Sequence, residues 1–169
     1  MGDYMKKAMK DALTYFSKSR LNYAILGNLA VHVYTGWKFA PDIDVFVDSN
    51  IDRVKDDFVS NGWKFKYNYK APYNIRHYGL EKSGVSMDLI FQRDDRYSKF
   101  IKKTRFKGVP IKIVDPNYLY ALKMFIMLLQ KKRPKAKIVN DLETMKKLLP
   151  RVDLEVVRKE LKRMLAFPR

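Results

Sequence analysis

Apolar and polar positions along this chain follow two rhythms, one of three and four residues and one of two. Between residues 4 and 18 the apolar positions are Met5, Ala8, Met9, Ala12, Leu13 and Phe16. That spacing predicts an amphipathic helix. Residues 23–26 form a short apolar strand, broken by Gly27-Asn28. Residues 29–34 suit a turn or two of helix, and Gly36 and Pro41 bracket a loop. Residues 43–47 alternate and predict a second strand. Asn50 is placed to cap a helix over 51–60, with Ile51, Val54 and Phe58 inward and Asn61-Gly62 closing it.

Residues 63–69 and 75–81 are aromatic-rich strand candidates, with Pro72 in the turn between them. Lys82-Ser83-Gly84 predicts a hairpin turn into a strand over 85–91. Residues 95–103 are polar and show no clear period. Short strands at 105–106 and 111–114 flank Lys107-Gly108-Val109-Pro110, a second hairpin. Pro116 suits the first turn of a helix reaching about residue 130. The basic run Lys131-Lys132-Arg133-Pro134-Lys135-Ala136-Lys137 interrupts it, and helices over 138–149 and 154–165 follow, the last capped by Asp153. The expected fold is α+β. An α/β core over 1–114 is expected to carry a C-terminal helical part, 115–169, packed on it as one compact unit.

With 169 residues and 47% hydrophobic content, the chain can bury one core. The absence of cysteine excludes disulfides and thiolate metal sites and says nothing of compartment. No apolar run reaches ~18 residues, so no membrane-spanning helix is expected. The charged first ten residues lack a signal-peptide core, and a cytoplasmic location with no membrane partner is the expectation. Charge changes the picture more. Residues 1–95 carry 14 basic and 12 acidic side chains, net +2, while residues 96–169 carry 21 and 6, net +15. A basic half beside a nearly neutral one points to a polyanion such as RNA; a lysine-rich solvated surface is the plainer alternative.

The candidate chemistry lies in Asp42-Ile43-Asp44. Residues two apart on a strand share a face, so two carboxylates project together near the turn at Gly27. Such a pair suits a divalent metal and a phosphate chain. Asp88 interrupts the otherwise apolar run 85–91, where a charge is costly unless paired or metal-bound. Alone, it reads more simply as an exposed residue or a turn cap. Together with the pair, three acids on adjacent strands can hold two Mg²⁺, one activating an attacking hydroxyl and one stabilising a leaving pyrophosphate.

The ordered set Leu26-Gly27-Asn28, Asp42-Ile43-Asp44 and Asp88 resembles the polymerase-beta-like nucleotidyltransferase superfamily. The likeness extends to its small members related to abortive-infection (AbiEii-type) toxins and minimal nucleotidyltransferases. Pro116 to Lys123, with Leu122-Lys123, and the later Lys137 and Asp141-Leu142 match the helical part of those relatives. The resemblance implies a mixed-sheet nucleotidyltransferase core flanked by helices. It implies a nucleoside triphosphate as substrate, two Mg²⁺ (or Mn²⁺) on Asp42, Asp44 and Asp88, and those acids as the catalytic set. It implies Gly27, Asn28, Lys38 and Lys123 as nucleotide-binding. Asn28 stands where relatives have Ser or Gly, and Lys38 and Ala40 where an Arg and a Thr are common.

Rival motifs are absent. There is no Gly-x-x-x-x-Gly-Lys loop, His32 and His77 show no metal-ligand spacing, and no serine has a nucleophile elbow. Tyr67, Tyr69, Tyr73 and Tyr78 can stack a base, although strand packing explains them as simply. Lys131, Lys132, Arg133, Lys135 and Lys137 can grip an RNA backbone, or form a solvated loop. Lys123 has a surface alternative too, its stem lying along the helix. The leading reading is transfer of a nucleoside monophosphate to an acceptor hydroxyl, with RNA (a tRNA 3′ end) preferred. The alternatives are a catalytically weak RNA-binding module of the same fold, and a protein-modifying component of a toxin–antitoxin pair with a cognate toxin or antitoxin as partner.

Overall fold

The computed structural model describes residues 2–39, 41–48, 50–70, 76–91, 95–129 and 134–166. Helix α1 (Asp3–Lys18) buries the predicted stripe Ala8, Met9, Ala12, Leu13 and Phe16. Strand β1 (Tyr23–Leu26) is buried along its length and runs straight into α2 (Gly27–Thr35). That helix is longer than its apolar pattern predicts. Gly27, at φ +65°, turns the chain sharply, so no residues are spent on a loop. Strand β2 (Asp42–Val47) leads to α3 (Ile51–Ser60). Asn50 precedes α3 as expected, but its side chain makes no capping bond and its φ is +54°, a left-handed conformation that Asn tolerates.

Strands β3 (Lys64–Lys70), β4 (Arg76–Lys82) and β5 (Val85–Phe91) form an antiparallel meander. Ser83 and Gly84 both take positive φ, as a tight two-residue hairpin turn requires. The polar stretch after β5 becomes a 3-10 turn, Asp95–Phe100, and then β6 (Ile101–Phe106). Sequence pattern finds only the end of β6 because it is an edge strand with polar residues on both faces. It pairs with β7 (Val109–Val114). Helices α4 (Pro116–Leu129), α5 (Lys135–Leu148) and α6 (Leu154–Leu165) complete the chain. Asp115 accepts from the Tyr118 amide at 2.9 Å and Asp153 from Glu155 and Val156, so both helices start on carboxylate caps. Helix α5 begins three residues earlier than its pattern suggests, so Lys135 and Lys137 ride on its first turn. Lys131, Lys132 and Arg133 lie outside the described residues, as do Ala40, Pro72 and Tyr73.

The seven strands form one mixed sheet in the order β3-β4-β5-β2-β1-β7-β6. The pairs β2–β5 and β1–β7 are parallel and the others antiparallel. Alternation along β2 sends Ile43, Val45 and Val47, all buried, to the side where α1 and α3 pack. Asp42, Asp44 and Phe46 face the other side. There α2, α4 and α5 stand over the sheet and leave a cleft. Leu119 of α4 and Leu148 of α5 belong to the same buried cluster as the strands. The mixed α+β architecture predicted from the sequence is the one observed. Among the described residues no helix is long and apolar enough to cross a membrane.

Candidate active site

The site is assembled by strand register. Asp42 and Asp44 sit two apart on β2, and in the parallel β2–β5 pairing Asp44 lies directly opposite Asp88. Leu26, the last residue of β1, lies opposite Asp44 on the other side. The turn into α2 therefore starts where the carboxylates converge. A cleft of about 510 Å³ opens over them, lined by Gly27, Asn28, Asp42, Asp44, Asp88 and, from the helices above, Leu119, Lys123, Ile126, Lys137, Asn140 and Asp141. That volume is typical of small-ligand sites.

Three features of α2 make its first turn suited to anionic groups. Its start lines the cleft, no side chain caps it, and Gly27 has no Cβ to obstruct approach. Free N–H groups at a helix start favour phosphate. Asn28 projects from the same turn and lines the cleft.

Crowding of the acids shows in their protonation. Burial, then the charges of Asp42 and Asp88, push the Asp44 carboxyl up to about 7, and Lys123 opposes this. Asp42 is also raised, first by burial and then by Asp88, with Lys137 opposing. Two half-buried carboxylates that resist ionising together form a donor set that a divalent cation would relieve. Asp88 is held differently. Its Oδ1 accepts the Tyr67 hydroxyl at 2.5 Å. No group of three His, Cys, Asp or Glu side chains is gathered closely enough to hold a metal ion among the described residues. The chemistry of the residues fits an ion on the Asp42–Asp44 pair, with Asp88 opposite Asp44 and engaged with Tyr67.

Lys123 and Asp141 form an ion pair of 2.9 Å between α4 and α5, with side chains only 11% and 7% exposed. Lys123 is thus a buried cation beside the acids rather than a surface residue. Lys137 is exposed at the rim, and Lys135 is exposed on the same turn without lining the cleft. Lys38 is not brought to the acids. It pairs with Glu143 at 3.1 Å and lines a neighbouring hollow of about 250 Å³ with Trp37, Phe39, Asn140 and Asn28. Its cation lies 4.9 Å from the Trp37 ring centre.

Three residues take roles that the sequence reading does not assign them. His77 lines the cleft, and burial lowers its proton affinity despite the nearby Asp88. Tyr67 and Gly79 act together. The Tyr67 ring covers Gly79, where an added Cβ would lie 2.2 Å from the ring edge, and so reaches Asp88 across β4. A bulge between Phe65 and Tyr67 puts these two residues on opposite faces of the sheet. The available signal was the isolated glycine within a strand, which marks a close approach. Tyr78 turns the other way and bonds Asp52 of α3, so it packs rather than lines the cleft.

No protein-family model matches the sequence, and no curated protein matches it significantly. Solved structures do match. The antibiotic-resistance factor ANT(2'')-Ia superposes with a TM-score of 0.68 at 13% identity, over 98% of this chain and 94% of that one. The lincosamide antibiotic adenylyltransferase LnuA, lincomycin-bound, gives 0.57 at 14%, over 88% and 98%. An antigenic nucleotidyltransferase-like protein from Paracoccidioides brasiliensis gives 0.56 at 14%, over 88% and 77%. At these identities the likeness is one of fold, and the fold is that of nucleotidyltransferases.

Proposed function

We propose that this chain is a Mg²⁺-dependent nucleotidyltransferase that moves a nucleoside monophosphate from a nucleoside triphosphate to an acceptor hydroxyl. The observation that carries the reading is the register that sets Asp44 beside Asp88, with Asp42 on the same face and the open start of α2 at their edge. The shared fold supports it. LnuA is an adenylyltransferase by name, and ANT(2'')-Ia also matches in its complex with adenylyl-2''-tobramycin, at a TM-score of 0.61.

In this mechanism Asp42 and Asp44 would hold Mg²⁺, or Mn²⁺ in its place, with Asp88 as ligand to a second ion. Bound there, the metal supplies charge neutralisation and polarisation of the α-phosphate. The first-turn N–H groups of α2 and Asn28 orient the phosphate chain. Lys123 and Lys137 place positive charge where pyrophosphate builds up negative charge. Asp88 receives the proton of the acceptor hydroxyl. Leu119, Leu122 and Ile126 wall the cleft with apolar surface, which strengthens these interactions by excluding water.

RNA is the proposed acceptor. The net charge of +17, the exposed Lys137 at the rim of the cleft and the exposed Lys135 on the same turn support it, with Lys131, Lys132 and Arg133 adjacent in sequence. A small hydroxylated antibiotic is the second reading, favoured by the match to ANT(2'')-Ia along nearly the whole of both chains. The test is incubation with α-labelled nucleoside triphosphates, Mg²⁺ and cell lysate. Label in RNA is expected. Label in an added aminoglycoside or lincosamide, but not in RNA, moves the reading to the second acceptor, and label in a lysate protein moves it to the protein-modifying alternative. Absence of transfer to every acceptor, with RNA still bound, would overturn the enzyme in favour of a binding module.

A further inference from the structure

The Tyr67 hydroxyl bonds the carboxylate to which the proposed mechanism gives the acceptor's proton. Resting on the nucleotidyl-transfer reading, we infer that the chain nucleotidylates itself on Tyr67. Four observations converge on that hydroxyl. It donates to Oδ1 of Asp88 at 2.5 Å, the carboxylate assigned to take the acceptor's proton. Tyr67, Gly79, Asp88 and Asp44 lie in one row across the sheet, so the hydroxyl stands beside the acids. Its residue is 47% exposed, which leaves room for a nucleotide to be attached. Finally, the backbone is shaped around it. A strand bulge precedes Tyr67, and Gly79 leaves the space that the ring fills.

A tyrosine that merely decorated an edge strand would find water for its hydroxyl and would need neither device. Tyr69, two residues on, shows the difference. It is 56% exposed and rests its ring edge-on against His77 at 5.9 Å.

The step balances without a further reactant beyond a nucleoside triphosphate and a divalent cation. The Tyr67 oxygen forms a bond to the α-phosphorus. The bond from that phosphorus to the bridging oxygen of the β-phosphate breaks, and pyrophosphate leaves with the electron pair. The phenolic proton passes to Asp88. The hydrogen bond already aims that proton at the Asp88 carboxylate, so its transfer needs no rearrangement. The nucleotide so attached would fill the acceptor position, so the modified chain is expected to lose transfer to other acceptors.

The full chain is incubated with each α-labelled nucleoside triphosphate and Mg²⁺, without added acceptor, and digested for tandem mass spectrometry. One nucleoside monophosphate on Tyr67 is the expected product. Y67F keeps the ring over Gly79 and removes the nucleophile; its label should fall by at least about 100-fold, and D88N should also lose label. Circular dichroism and Tm establish that both variants fold. Triphosphate binding by calorimetry and transfer to lysate acceptors are measured in parallel. Wild-type protein that binds triphosphate or labels another acceptor while Tyr67 stays unmodified overturns this inference alone. Label on a residue other than Tyr67 also overturns it. If neither binding nor transfer is seen, the nucleotidyl-transfer reading falls with it.

Discussion

A Cβ atom on residue 27 would stand 1.7 Å from Oδ2 of Asp44. Gly27 is therefore required twice, once for its φ of +65° and once because the Asp44 carboxylate packs where a side chain would be. Gly27→Ala must push Asp44 aside or shift the start of α2. A left-handed non-glycine residue alone costs about 1–3 kcal/mol, and the contact adds to it. Transfer should drop by at least about 100-fold, since a displacement of an ångström at a reacting centre costs that much. Urea unfolding and steady-state rates measure the two effects. A variant with wild-type rates would show that the turn and the carboxylate are not coupled.

The Asp44 carboxyl, raised to about 7 by burial and by Asp42 and Asp88, predicts a pH dependence of stability. Because the folded pKa lies above the unfolded value, the folded chain binds the extra proton. The associated stability is fully present below the unfolded pKa and is lost as pH rises through about 7. One pKa unit corresponds to about 1.4 kcal/mol, so metal-free protein should lose a few kcal/mol between acidic and mildly alkaline pH, roughly 5 to 10 °C in Tm. Mg²⁺ should restore it above neutrality, where the ion replaces the proton. Asp44→Asn removes the charge, so its Tm in EDTA should be flatter with pH and higher than wild type at pH 8, with transfer abolished. A wild-type profile that is flat in EDTA would show that Asp44 ionises freely.

Lys123 and Asp141 face each other at 2.9 Å with little exposure, and removing one partner strands a buried charge. Asp141→Ala should destabilise by about 3 kcal/mol. Lys123→Met takes the cation from buried Asp141 and should destabilise by a similar amount, and it should also weaken triphosphate binding, because the methionine fills the space without the cation. A nucleoside triphosphate should raise the Tm of Asp141→Ala more than that of wild type, since the phosphates supply the missing negative charge. Equal stabilisation of the two proteins would place Lys123 out of reach of the phosphates.

What the sequence revealed of this site depended on how local the signal was. Asp42 and Asp44 announce themselves because two residues apart on a strand is a fixed geometry. Asp88 alone reads more simply as an exposed residue or a turn cap, and only beside the Asp42–Asp44 pair does a charge inside Val85–Phe91 point to a shared site. The register that brings Asp44 to Asp88 is not readable, because the parallel pairing joins residues 44 apart in sequence. Lys38 shows the opposite failure. The resemblance implies a phosphate contact for it, yet the positive φ at residue 38 accompanies a chain path that sends it to Glu143 on α5. Tyr67 was one aromatic among several in an edge strand. Only the bulge before it and the glycine beneath it distinguish it, and neither states a partner. The basic helix start at Lys135 was hidden by the lysine run, which by composition reads as a loop.

Lys135 and Lys137 share one turn of α5 but differ in position, and that difference separates acceptor binding from chemistry. Lys137 lines the cleft and opposes the raised pKa of Asp42. Lys135 is exposed and does not line it. For a single-stranded RNA each phosphate contact contributes about 0.7 to the slope of log affinity against log salt. Lys135→Ala should therefore weaken RNA binding and reduce that slope by about 0.7 while leaving triphosphate affinity unchanged. Lys137→Ala should lower the slope by a similar amount and also weaken triphosphate binding, because the cleft loses a cation that steadies Asp42. The double variant should lose about 1.4. Binding titrations at several salt concentrations measure all three. RNA binding with no salt dependence, or unmoved by the double variant, would remove the basic mouth of the cleft as the acceptor's handhold and leave the small-molecule acceptor as the better reading.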